Sequence, residues 1–112
     1  MIEDVVKELR QYRFTLDSEQ ALQQQIARVL PSFEREHRFD KKSRIDFFRP
    51  IDGIGMEVKI KGGRMAIYRQ VERYSKFDSV TGLILITNVA MGFPKELNGK
   101  PCYVISLGER WL

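Results

Sequence analysis

Four consecutive aliphatic residues, Leu83 to Ile86, constrain the fold more than any other segment of the chain. A short apolar run without polar alternation indicates a strand that is buried on both faces. Such a strand needs cover from both sides, and 112 residues are enough for one domain with a sizeable core. We therefore expect a single domain over residues 1–112, built as a sheet with helices packed against it.

Periodicity, capping residues and turn residues predict the other elements of this fold. Helices are expected over residues 2–13, between a cap at Asp17 or Ser18 and the stop at Pro31, and over residues 64–77. Strands are expected over 32–39, 44–49, 54–61, 83–86 and 102–107, a loop over 89–100, and Trp111 is expected to pack the C-terminus down. This order predicts an α/β fold with a mixed central β-sheet flanked by helices.

The rare residues and the apolar pattern exclude several classes of protein and site. One cysteine, Cys102, and one histidine, His37, exclude an internal disulfide, a cysteine zinc site and a multi-histidine metal site within one chain. No apolar run approaches the about 20 residues of a membrane span, and the acidic N-terminus lacks a signal-peptide pattern. We expect a cytoplasmic protein without membrane contact, whose chemistry depends on carboxylates, amines, guanidinium groups and amides.

Positive charge is concentrated in the middle of the chain. The net charge is +4, and residues 31–77 hold 12 basic and 7 acidic side chains, a local excess of +5. Such a surface favours a polyanion, nucleic acid first, although an ordinary solvated basic face would have the same composition.

Two carboxylates and a lysine are expected to meet on neighbouring strands. If residues 44–49 and 54–61 form a hairpin that turns near Ile51 and Asp52, facing residue numbers sum to about 103, which puts Asp46 opposite Glu57. Lys59 then projects from the face that carries Glu57, and we expect Ile45, Phe47, Met56 and Val58 on the other face. Mg²⁺ would suit the two carboxylates, and the alternative is an exposed ion-pair cluster without function.

Other residues could complete such a site. Glu19 shares the apolar stripe of its helix and is a possible further metal ligand, although an acidic residue in a first turn also stabilises the helix dipole. Gln70 lies beside the buried stripe of the next helix, where Tyr74 is one turn away, so the two could position water or phosphate; a boundary glutamine is the alternative. Basic residues that could contact a phosphate backbone are Lys61, Arg64, Arg69 and Arg73, although ordinary solvation is the favoured explanation for any single one of them.

In this order, the elements and motifs resemble the PD-(D/E)XK nuclease superfamily. Asp46 matches its strand-two aspartate, Glu57-Val58-Lys59 its (D/E)XK triplet, and Ile45 replaces the proline that names the motif. Glu19 matches the first-helix glutamate of some branches, and Gln70 to Tyr74 looks like the glutamine-and-tyrosine helix motif of others. The small size looks most like Holliday-junction-resolvase-type and phage-borne members, and the resemblance covers residues 18–107.

The resemblance implies a restriction-endonuclease-like core, α-βββ-α-ββ, preceded here by an extra N-terminal helix. It also implies a Mg²⁺-dependent endonuclease, in which Mn²⁺ can substitute and no organic cofactor is needed. The catalytic residues would be Asp46, Glu57, Lys59, Gln70 and Tyr74. DNA, cut with structural selectivity or weak sequence specificity, would be the substrate. A homodimer would place two sites on two strands. The alternatives are a non-catalytic nucleic-acid-binding module on the same fold and, with less support, a protein–protein interaction domain.

Overall fold

Three helices and six strands form an α/β architecture in the computed structural model, which describes residues 1–107. The helices are α1 (Ile2–Arg10), α2 (Glu19–Val29) and α3 (Arg64–Ser75). The strands are β1 (Glu34–Arg38), β2 (Arg44–Arg49), β3 (Ile54–Lys59), β4 (Gly82–Thr87), β5 (Glu96–Leu97) and β6 (Lys100–Ser106). Trp111 lies outside the described residues.

The strands form one mixed sheet in the order β1-β2-β3-β4-β6-β5. Antiparallel pairing joins β1 to β2 and β2 to β3, whereas β4 pairs in parallel with both β3 and β6. Every residue of β4 is buried, as the aliphatic run predicts, because the strand lies inside the sheet and both of its faces are covered. No helix within residues 1–107 combines the length and the apolar character that crossing a membrane would need.

Helices cover the two faces of the sheet separately. The buried residues of α1 and α2 pack with Phe47, Met56 and Val58 in one core, which we call the α1/α2 core. The buried face of α3 packs with Ile45, Phe48 and alternate residues of β4 in a second core, the α3 core. The predicted mixed sheet with flanking helices is therefore confirmed at the level of an α/β fold.

Several predicted boundaries need correction. Helix α1 ends at Arg10 rather than residue 13, and β3 ends at Lys59 rather than residue 61. The segment 89–100, predicted as a loop, contains β5, which pairs with β6 through the turn Asn98-Gly99. Both turn residues have positive φ, 51° and 78°, which is the two-residue hairpin conformation that Asn-Gly favours.

Strand β2 changes the face that its side chains present at Asp46. Phe47 belongs to the α1/α2 core, as predicted, but Ile45 belongs to the α3 core, so the prediction that both share a face with Met56 is wrong. Gly55 accommodates the change, because a Cβ on this residue would lie 2.6 Å from Cδ1 of Ile45. The physical reason is an interruption of the regular pleat, which alternates side chains only where the backbone stays extended.

Candidate active site

The two strands of the predicted hairpin pair near the turn and separate farther from it. Phe47 pairs with Met56 and Arg49 with Ile54, which is the predicted register, and the ladder stops before Asp46 and Glu57. Strand β3 nevertheless continues to Lys59, paired with β4 on its other side. The edge of β3 that faces β2 therefore has backbone groups beyond Met56 that need other partners.

Carboxylates supply those partners. The backbone N–H of Val58 donates to Oδ2 of Asp46 over 2.8 Å, and the backbone N–H of Asp46 donates to Oε1 of Glu57 over 3.1 Å. The structure thus brings Asp46 and Glu57 together, each anchored through the backbone of the opposite strand. We call the space between β2 and β3 at these residues the strand gap.

Glu19 reaches the same edge of β3 from helix α2. Ser18 caps this helix by accepting a hydrogen bond from the N–H of Ala21, which fixes Glu19 as its first residue. One carboxylate oxygen of Glu19 accepts from the N–H of Ile60 over 2.9 Å. The amides of Val58 and Ile60 are two residues apart, or about 7 Å along a strand, so Asp46 and Glu19 lie side by side.

Burial raises the pKa values of the two gap carboxyls, and the charge of a neighbouring carboxylate adds to each shift. Desolvation raises the pKa of Glu57 to about 8, and the charge of Asp46 contributes to the shift. Desolvation also raises the pKa of Asp46, with a contribution from Glu19, although the Val58 N–H opposes it. Without a cation, the gap therefore favours a carboxyl pair that holds one proton.

Lys59 places an amine at the mouth of the gap. Its Nζ lies 3.9 Å from Oε2 of Glu57, with 28% of the lysine side chain exposed against 4% of the glutamate. Its carbonyl oxygen accepts hydrogen bonds from the Thr87 hydroxyl and from the Asn88 N–H, so β4 fixes the end of β3. A cavity of about 470 Å³ opens here, and its lining includes Glu19, Lys59 and Lys61.

Gln70 and Tyr74 lie on α3, on the other side of the gap from α2. Gln70 Nε2 donates to the Tyr74 hydroxyl over 2.9 Å, and that hydroxyl donates to the carbonyl oxygen of Arg44 over 2.6 Å. Tyr74 is fully buried, and its pKa is raised by desolvation first and then by the charges of Glu57 and Asp46. The pair therefore connects α3 to the first residue of β2, two positions before Asp46.

The predicted nucleic-acid contacts are all exposed but do not form one group. Lys61 lies at the cavity beside Lys59, and Arg64 begins α3 just beyond it. Arg69 projects into solvent from the middle of the same helix. Arg73 lies over the Tyr74 ring, 5.8 Å from its centroid.

The donor chemistry of the gap fits a hard divalent cation. Asp46, which is half-buried, and Glu57, which is buried, are oxygen donors of like charge, and a cation between them would let both ionise. No group of three or more His, Cys, Asp or Glu side chains within residues 1–107 is arranged to hold a metal ion, so Glu19 stands next to the pair rather than in one cluster with it.

Two features of the site were not predicted from the sequence. Glu36, to which the motifs assign no role, lies on β1 across from Asp46 and has a left-handed backbone conformation. The backbone amides of Val58 and Ile60 orient the carboxylates, and only the early end of the β2–β3 ladder reveals this. The remaining rare residues lie elsewhere: the His37 ring stacks on Phe48 at 4.5 Å, and burial raises the pKa of the Cys102 thiol to about 11.

Comparisons with protein-family models, with curated proteins and with solved structures found no match for this chain.

Proposed function

We propose that this chain is a Mg²⁺-dependent endonuclease that hydrolyses phosphodiester bonds in DNA, with Mn²⁺ as an effective substitute. One observation carries the proposal: half-buried Asp46 and buried Glu57 form a carboxyl pair with raised pKa values, and the Lys59 amine lies beside Glu57. Strongly shifted carboxyls of this kind concentrate at functional sites. The resemblance of these residues to the PD-(D/E)XK motif favours nuclease chemistry and a restriction-endonuclease-like core.

Asp46 and Glu57 would hold the ion through carboxylate oxygens. When bound, Mg²⁺ would lower the pKa of a water molecule and offset charge on the scissile phosphate. The backbone N–H groups of Val58 and Asp46 hold the two carboxylates in place before any ligand arrives, which reduces the cost of ordering them. Glu19 accepts from the Ile60 N–H next to the pair, so its second oxygen would have to turn toward the ion for Glu19 to become a further ligand.

Lys59 would act on the attacking water or on the charge that develops at phosphorus. Its position supports this role, because the side chain is partly exposed and lies between buried Glu57 and the open cavity. Gln70 is half-buried and would position water or phosphate with the amide atoms that do not contact Tyr74. The Tyr74 hydroxyl proton is committed to Arg44, so Tyr74 would act by positioning Gln70 and the start of β2.

DNA would lie across the cavity mouth. Four exposed cations supply candidate phosphate contacts, namely Lys61, Arg64, Arg69 and Arg73. The proposed substrate is a DNA structure, such as a junction, flap or duplex, cut with structural selectivity or weak sequence specificity. A homodimer would place two sites on two strands. We propose the cytoplasm as its location.

A non-catalytic nucleic-acid-binding module on the same fold is the second candidate. The observation that favours it is the lack, within residues 1–107, of a three-residue group arranged for a metal ion. A pure binder has no use for buried carboxyls, however, because acidic groups repel phosphate. The pair Asp46 and Glu57 is thus the feature that separates the two candidates.

The test incubates pure protein with end-labelled single-stranded, duplex, flap and four-way DNA, in Mg²⁺ or in EDTA. We expect cutting that needs Mg²⁺ or Mn²⁺ and that Asp46→Ala and Lys59→Ala reduce by at least about 100-fold, while the mutants still bind DNA. Asp78→Ala and Lys7→Ala are matched controls, since both residues are exposed outside the gap. Cutting that persists in both site variants would refute the site. Binding without cutting in any metal would favour the binding module.

A further inference from the structure

Glu36, in the middle of edge strand β1, has a backbone conformation that residues with side chains rarely adopt. Its φ is 54°, in the left-handed region, where Cβ approaches the carbonyl oxygen. Asn98 is the other non-glycine residue with positive φ within residues 1–107, and its hairpin turn requires that conformation. Glu36 lies in a strand rather than a turn, and within the described residues its carboxylate makes only an exposed ion pair, with Arg44 at 3.5 Å. Its conformation therefore needs a reason outside its own side chain.

The reason lies in the pairing of β1 with β2. Arg35 pairs with Phe47 and His37 with Ile45, so Glu36 and Asp46 stand between these pairs. In regular strands both pairs would present the same face. Here the Arg35 guanidinium lies 5.8 Å from the centroid of Phe47, a residue of the α1/α2 core, whereas His37 and Ile45 lie on the α3 side.

Both strands therefore change face at the same point. The register is identical before and after it, so no residue is inserted and the two changes compensate each other. On β2 the change falls on Asp46, whose N–H points to the Glu57 carboxylate instead of a ladder partner. On β1 the left-handed φ of Glu36 produces the matching change and keeps the strands paired.

We propose that the backbone of Glu36 is a positioning device for the carboxyl pair. Its left-handed conformation holds the face change in β2 and thereby directs Asp46 into the strand gap, against the Val58 N–H. The role belongs to the backbone, so residues that tolerate positive φ can replace Glu36 and β-branched residues cannot. The inference rests on the proposed function only in treating Asp46 as a metal ligand.

The test compares variants at residue 36 by two measurements. Isothermal titration with Mn²⁺ gives the affinity of the site, and the ¹H–¹⁵N spectrum in EDTA gives the chemical shift of the Val58 amide, which reports its hydrogen bond to Asp46. We expect Glu36→Gly and Glu36→Asn to keep both values. We expect Glu36→Val to weaken Mn²⁺ binding at least about tenfold, as changes around metal ligands do, and to shift the Val58 amide upfield.

Glu34→Val is the matched control, because Glu34 is an exposed glutamate of the same edge strand in regular pairing with Phe48. It should leave the Mn²⁺ affinity and the Val58 shift unchanged. A Glu36→Val protein that keeps both values overturns the inference. If that variant does not fold, Glu36→Ala against Glu36→Gly makes the same comparison, and equal affinities and equal Val58 shifts overturn it.

The two readouts also separate this inference from the proposed function. Native protein that binds Mn²⁺ and cuts no DNA would refute the nuclease and leave the inference intact. Native protein that binds no Mn²⁺ would refute the metal site, and the Val58 amide shift would still decide the role of Glu36.

Discussion

The β2–β3 hairpin carries acidic residues at both ends, and their pKa values are shifted in opposite directions. At the turn, the Arg49 guanidinium lies 2.6 Å from Oδ2 of Asp52 and lowers the pKa of that carboxyl. The same guanidinium lies 4.7 Å from the centroid of the Phe33 ring. At the open end, Asp46 and Glu57 are also withdrawn from water, but their pKa values are raised.

The two ends differ in how well a nearby cation compensates the carboxylate charge. Asp52 has a bidentate cation that neutralises it within the folded chain. Among residues 1–107, the cation that faces the gap carboxyls is Lys59, whose Nζ is partly exposed and lies 3.9 Å from Oε2 of Glu57. At the turn, the carboxylate charge is therefore compensated within the folded chain. At the open end, most of the carboxylate charge has no cation to compensate it, as in a metal site before the ion binds.

Among the substitutions, removal of the cation at the turn should have the largest effect on stability. Arg49→Ala leaves the nearly buried Asp52 unpaired and removes the contact with Phe33, so we expect the free energy of unfolding to fall by about 2–3 kcal/mol. Urea denaturation measures this. Arg44→Ala is the control at the open end, where the ion pair with Glu36 is exposed and should contribute less than about 0.5 kcal/mol. A loss below about 1 kcal/mol for Arg49→Ala would contradict the contrast between the two ends.

Neutralising a carboxyl should have opposite signs at the two ends. In EDTA at pH 8, Glu57→Gln should raise the free energy of unfolding by about 1–2 kcal/mol, because it removes a buried charge and keeps an oxygen acceptor for the Asp46 N–H. Asp52→Asn should lower it, because Arg49 then loses its partner. Urea denaturation of both variants checks the two signs, and equal signs would show that the ends are alike.

The pH dependence follows from the same shifts. The folded-state pKa of Glu57 is about 8 against an ordinary 4.5, so the folded chain binds the extra proton between these values. Native stability in EDTA should therefore be greatest below pH 4.5 as far as this group is concerned, and should fall as pH rises to 8, by no more than about 1.4 kcal/mol per pH unit. Glu57→Gln should remove this fall. The lowered pKa of Asp52 works in the other direction: its contribution is present above pH 3.8 and is lost on acidification.

Addition of Mg²⁺ should have the smallest effect, and only through the open end. With 10 mM Mg²⁺ and a dissociation constant of the order of 1 mM, binding would stabilise the fold by about 1.4 kcal/mol, or roughly 5–10 °C in Tm. Differential scanning fluorimetry at pH 8 measures the shift. Asp46→Asn should abolish the shift, and Asp52→Asn should keep it. A shift of equal size in Asp46→Asn would assign the effect to some other part of the chain.

The sequence predicted the parts of this site that depend on spacing. A hairpin with a defined turn determines which residues face each other. The register that places Asp46 opposite Glu57 could therefore be predicted from the residue numbers alone. The helical spacing of Gln70 and Tyr74 also predicted their contact. The buried run in β4 and the cap at Ser18 carry strong local signals, and both are present in the structure.

Features that depend on departures from regular geometry could not be predicted from residue spacing. The face of Ile45 was predicted wrongly because alternation was assumed to continue through Asp46. Glutamate carries no signal for positive φ, so Glu36 could not be identified from its residue type. Strand β5 did have a signal, the Asn98-Gly99 pair, but two residues of strand are too short to show alternation.

The location of Glu57 and Lys59 on β3 has a consequence for how this sequence can vary during evolution. All residues of β3 except Lys59 are buried, and the strand is held by neighbours on both sides of the sheet. Substitutions there affect the core and the carboxyl pair together, so variation among descendants of this chain should accumulate in the exposed turn at 40–42 and the segment around Gly92 instead. Residues around the strand gap can therefore change during evolution far more easily than the residues that form it.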